Sequence, residues 1–125
     1  MKEKVLIGIY FNQSKNEPEV IEIENKLESV QRLVGGYIEL VTPEMFENLD
    51  KRIKNFDIWI NEEGRLIEGM IPNIQLNPDF GEESVLYGNL VVLAKDEEGN
   101  FSSIPEERIK GLIDCLKEMR KRLEK

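Results

Sequence analysis

The stretch "QRLVGGYIELV", residues 31–41, constrains the chain more than any other, because the period of its apolar residues changes across two adjacent glycines. Before the pair, Leu27, Val30, Leu33 and Val34 recur at helical intervals; after it, "YIELV" alternates like a strand. A glycine pair can cradle phosphate, but a cradle needs the free N–H groups of a helix N-terminus, and these glycines follow a C-terminus, where the dipole is negative. Gly35 falls where a helix closes in the left-handed conformation, which glycine adopts without a Cβ penalty. The pair is therefore read as a helix exit. It feeds a strand with Ile38 and Leu40 toward the core and Tyr37 and Glu39 facing away.

The flanking pattern fills in an α+β fold. Val5–Phe11 and Val20–Glu24 are strand-like runs joined by the polar "NQSKNEP" loop, and Asn25 with Glu28 has capping-box spacing for the short helix. "TPEMFENLDKRIKN" reads as a helical segment over 42–55, capped by Thr42, with Met45, Phe46, Leu49 and Ile53 on one stripe. "FDIWINEEG" gives a strand with Phe56, Ile58 and Ile60 on one face and Trp59 on the other, then an "NEEG" hairpin with Gly64 at positive φ. Residues 71–88, rich in Pro, Asn and Gly, read as a long loop. Asn89–Lys95 is a strand, followed by a "DEEG" turn and a short return near Phe101. A C-terminal helix over 104–124 opens at a Ser103/Glu106 capping box and carries the stripe Ile109, Leu112, Ile113, Leu116, Met119 and Leu123. Together these give an antiparallel-rich sheet, a short helix after the second strand, and a long C-terminal helix packed on the sheet, as one domain over 1–125.

Composition removes several functions. With no histidine, the usual zinc sites and the Ser-His and Cys-His pairs are excluded, and one cysteine, Cys115, cannot make an internal disulfide. Cys115 beside the apolar stripe reads as a small buried hydrophobe. A net charge of −8 argues against duplex nucleic acid as a partner. No run approaches the roughly 18 apolar residues of a membrane helix, and "MKEKVLIGIYFNQ" reads as a first strand rather than a signal peptide. No membrane is expected, and the address is cytoplasmic, the host cytoplasm if a phage encodes the chain. Neither Glu62-Glu63 nor Glu97-Glu98 has the alternating oxygen ligands of a calcium loop. No catalytic residue, metal ligand or cofactor is expected, and the chain is not read as an enzyme.

Residues 79–89 with the start of the last helix hold the residue types of a nucleotide pocket. Phe80 and Tyr87 offer faces for stacking, Asn89 an amide that donates and accepts, and Arg108 and Lys110 cationic grips for phosphate. The simpler alternative makes Phe80 and Tyr87 loop anchors, Asn89 a turn cap and Arg108 a solvated helix residue.

The run "ENKLESVQRLVGGYIELV", followed by "INEEGRLI", "IPNIQLN" and "YGNLVVLAKDEEGNF", resembles a small phage- and plasmid-borne family of unknown function, over roughly Val5 to Phe101. Within that neighbourhood the chain is similar to the phage anti-Thoeris sponge proteins, which hold the glycocyclic ADP-ribose signal of a bacterial defence system intact. The resemblance implies an anti-defence protein that binds a cyclic nucleotide through Phe80, Asn89 and Arg108. Where that family has a second helix arginine this chain has Leu112, so the basic partner would be Lys110 or a residue of another subunit. Homo-oligomerisation, to a dimer or larger, is expected if Met45, Phe46 and Trp59 are to be covered. The alternative function is an acidic DNA-mimic inhibitor of a restriction or CRISPR enzyme.

Overall fold

The computed structural model describes residues 4–41 and 49–124. In chain order these form β1 (Val5–Phe11), β2 (Glu19–Glu24), α1 (Leu27–Val34), β3 (Ile38–Val41), β4 (Asp57–Asn61), β5 (Pro72–Gln75), β6 (Val85–Tyr87), β7 (Leu90–Lys95), β8 (Phe101–Ser102) and α2 (Glu106–Lys121). The main sheet runs β2-β1-β7-β4-β3 with β8 added to β7, and every pair is antiparallel. β5 and β6 pair separately as a small sheet. The α+β expectation holds, with the short helix after the second strand and the long helix on the sheet.

Strand alternation sends apolar residues to both faces. Ile9, Phe11, Ile58, Ile60 and Val92 meet Leu112, Cys115, Leu116 and Met119 of α2 and the inner side chains of the small sheet. On the opposite face Leu6, Val91 and Leu93 pack with Val30 and Val34 of α1. Each fully buried leucine or methionine of the α2 stripe contributes about 1.5–3 kcal/mol, so this stripe alone fixes where the helix lies. Trp59 belongs to the α1-side cluster and meets Phe101 edge-on at 5.4 Å. It therefore has cover within the chain and gives no reason for a second subunit.

The glycine pair is structural at both positions. Gly35 closes α1 in the left-handed region, φ 83°, and its N–H donates to the Gln31 carbonyl at 2.8 Å. A Cβ on Gly36 would stand 2.8 Å from Asn61 Nδ2. That amide donates to the Val34 carbonyl at 3.3 Å, satisfying a helix-end acceptor that has no partner within α1.

Several local expectations are corrected. α1 starts one residue later than the Asn25 box implied, with Lys26 at its N-cap position. Pro105, rather than Ser103, precedes α2, because the Ser103 hydroxyl accepts the Ile7 N–H at 2.9 Å. Of the helix expected over 42–55, residues 42–48, including Thr42, Met45 and Phe46, lie outside the described residues. Lys51–Asn55 form turns, not helix. The "NEEG" hairpin does not form: β4 is flanked by β3 and β7, so neither of its edges is open to a return strand. Gly64 stays out of the left-handed region, although a Cβ there would come within 3.1 Å of the Tyr87 carbonyl. The loop expected over 71–88 is instead β5, a 3-10 segment at Pro78–Ser84 and β6. Leu40 is not core-facing in full; it is 37% exposed on the edge strand. The "DEEG" hairpin is present as β7 and β8. Among the described residues no helix is long and apolar enough to cross a membrane.

Candidate functional site

Arginines fasten the small sheet. Arg120 of α2 donates to both the backbone carbonyl and the side-chain oxygen of Asn73, and to the Lys15 carbonyl at 2.7 Å, while its guanidinium lies 4.2 Å above the Phe11 ring. Asn73, fully buried, donates in turn to the carbonyls of Phe11 and Gly88 at 2.8 and 2.7 Å. Arg122 donates to the carbonyls of Gln75 and Leu76 at 3.0 and 2.7 Å. Burial lowers the pKa of Arg120. The seam holds through carbonyls and one aromatic face, as a weakly hydrated planar guanidinium does well.

Held this way, β6 faces β3 and β4 across a cavity of about 420 Å3. Val41, Ile60, Val85 and Leu86 contribute its apolar wall, and Leu66, 85% exposed, contributes to its lining. Four glutamates also line it, Glu39, Glu62, Glu63 and Glu83, against one arginine, Arg65. Arg65 donates to the carbonyls of Glu82 and Val85, its guanidinium is 5.0 Å from the centre of the Tyr87 ring, and the Tyr87 hydroxyl lies 3.4 Å from the Glu82 carboxylate. Asn61 shapes one wall: its Oδ1 accepts the Glu63 N–H at 2.8 Å while its amide nitrogen holds the α1 exit. Carboxylates over an apolar floor repel phosphate and attract a cation with an aliphatic stem.

Residues 6–118, a span that includes every residue lining the cavity, match DUF3846, a domain of unknown function. The chain belongs to the DUF3846 family. No curated protein and no solved structure matches it.

Of the five residues read as a nucleotide pocket, this DUF3846 domain places only Tyr87 on the cavity. Phe80 stands on the 3-10 segment, 36% exposed. Asn89 is engaged in the fold: its Oδ1 accepts the Gln13 N–H at 2.8 Å and its amide nitrogen donates to the Leu33 carbonyl at 3.4 Å. Arg108 and Lys110 are exposed on α2, Lys110 paired with Asp114 at 3.1 Å. Leu112, where a second arginine would stand, is fully buried in the core.

The residues that do line it come from 39–41, 60–66 and 83–87. Glu62 and Glu63 stand together in the "NEEG" turn, where the sequence shows only a pair without the ligand pattern of a calcium loop; nothing in the sequence joins them to Glu39 or Glu83. Cys115, 1% exposed, has its thiol pushed up to about 12 chiefly by burial, which leaves it a core side chain. Among the described residues no group of three or more His, Cys, Asp and Glu side chains is arranged to hold a metal ion.

Proposed function

We propose that this DUF3846 domain acts by binding rather than by chemistry, as an acidic inhibitor that docks on the cationic nucleic-acid-binding surface of an enzyme of the restriction or CRISPR kind. The observation that carries this reading is the lining of the cavity, four glutamates against an arginine already engaged with two backbone carbonyls. A chain charge of −8 favours the same partners through long-range steering. Cleavage of plasmid DNA by restriction endonucleases and by an RNA-guided nuclease, each preincubated with an excess of the protein, tests it. Inhibition at low salt, relieved by added salt and weakened by Glu39→Gln with Glu83→Gln, is the expected result. Undiminished cleavage throughout contradicts it.

A second reading, sequestration of a cyclic nucleotide signal such as glycocyclic ADP-ribose, is favoured by the Arg65–Tyr87 pair, a flat ring beside a guanidinium. Calorimetry with that nucleotide and with cyclic oligonucleotides separates the two, since the inhibitor binds neither. In the sponge reading Phe80→Ala removes on the order of 1–3 kcal/mol of binding, the range for base–aromatic stacking, and Arg108→Ala weakens a phosphate contact. Ligand recovered after heat denaturation is chemically unchanged. A homo-oligomer goes with this reading where the second basic residue comes from another subunit rather than from Lys110; sedimentation showing only monomer at micromolar concentration removes that part.

A further inference from the structure

β3 ends the main sheet: among the described residues it pairs with β4 and with nothing on its other side. The Glu62 N–H donates to the Tyr37 carbonyl at 3.0 Å, in register with the pairs Glu39↔Ile60 and Val41↔Ile58. In an antiparallel ladder alternate residues direct both backbone groups to the same neighbour. Tyr37, Glu39 and Val41 therefore bond inward to β4, and Ile38 and Leu40 turn their N–H and C=O groups to the open edge. Pairing also settles the faces: Glu39 and Val41 share the cavity side with Ile60 and Ile58, while Ile38 and Leu40 lie on the α1 side.

We infer that this edge and the cavity beside it form one docking groove for an extended protein segment in which basic and apolar residues alternate. The inference rests on the proposed binding role and specifies the partner. The segment adds to β3 as an antiparallel or parallel strand, bonding to the backbone groups of Ile38 and Leu40 that no strand among the described residues engages. Its basic side chains fall on the cavity side, their aliphatic stems along Val41, Val85 and Leu86 and their charged ends among Glu39, Glu62, Glu63 and Glu83. Its apolar side chains fall on the other side and cover Leu40, 37% exposed. An acidic or uniformly polar strand fits neither face. A second copy of this chain is disfavoured as occupant, because β3 offered to β3 brings Glu39 and its carboxylate neighbours against their own kind.

Fluorescence anisotropy of the full chain with a labelled Lys-Val-Lys-Leu-Lys-Val-Lys peptide tests this. Saturable binding is expected. It should weaken by about tenfold or more as salt rises from low to several times physiological strength, and by at least as much in Glu39→Lys with Glu83→Lys, both exposed positions, with an unchanged melting temperature checking that the variant is folded. A peptide of the same composition with its lysines in one block, and one N-methylated at alternate backbone nitrogens, should bind far less. Absence of saturable binding, equal binding by the blocked or N-methylated peptide, or self-association of the protein that Leu40→Pro abolishes would overturn the groove. Peptide binding without any nuclease inhibition keeps the groove and removes the nuclease reading; inhibition without peptide binding does the reverse.

Discussion

The two flanks of the small β5–β6 sheet use charge in opposite ways. On the α2 flank, Arg120 and Arg122 donate into backbone carbonyls and the side-chain oxygen of Asn73, and the cation on Arg120 also sits over Phe11. On the β3 flank four glutamates line a cavity whose one arginine is already bonded to carbonyls. On these two flanks the cations fasten the fold, while the carboxylates line an open cavity. A net charge of −8 therefore understates how anionic the accessible surface is at the cavity.

The largest effect is expected on the fastened flank. Arg120→Ala leaves the buried Asn73 without its charged donor and strips a cation from Phe11, which should cost about 2–4 kcal/mol in urea unfolding. A loss below about 0.5 kcal/mol, the scale of an ordinary surface change, would make the seam decorative and break the contrast. Next comes Gly35→Ala, at about 1 kcal/mol or more, since alanine must adopt φ 83° to let α1 turn into the edge strand. Peptide binding by the folded fraction should persist; unchanged stability with lost binding would return these glycines to a ligand site.

Much of this was legible because it is local. The change of period at Gly35, the Leu112–Leu116–Met119 stripe and the "DEEG" turn between β7 and β8 each declare themselves within a few residues. The small sheet was not legible: β5 has four residues and β6 three, separated by a proline-led 3-10 segment with no tight turn to announce pairing. The absence of an "NEEG" return strand depends on β3 and β7 already occupying both edges of β4, which is a fact of topology. The cavity was hidden for the same reason. Its glutamates lie at 39, 62, 63 and 83, and only the pairing of β3 with β4 and the docking of β6 put them on one rim.

A smaller effect sharpens the contrast through pH. Hydrogen bonds from Arg52 hold the Asp50 carboxyl down to about 2, against a partial opposing effect of burial, and Arg52 also grips Glu118 at 2.9 and 3.0 Å. A carboxyl with a depressed folded-state pKa stabilises the fold above its unfolded value and loses that contribution as pH falls through the folded one. The stability gap between wild type and Asp50→Asn should thus be full above about pH 4 and close between about pH 4 and 2. A gap independent of pH would mean that the ion pair adds nothing to stability. The smallest stability change belongs to Glu39→Gln with Glu83→Gln: within about 0.5 kcal/mol, as for exposed residues outside any network. Loss of a full kcal/mol there would make the rim structural instead.

Amide chemical shifts of the 15N-labelled protein, followed during separate titrations with the alternating basic peptide and with glycocyclic ADP-ribose, test most directly whether the open charge of this domain selects a cation. Expected are saturable shifts at Glu39, Leu40, Arg65 and Tyr87 with the peptide and none with the nucleotide. Saturable shifts at Phe80, Tyr87, Asn89 and Arg108 with the nucleotide, and none along β3 with the peptide, would contradict it.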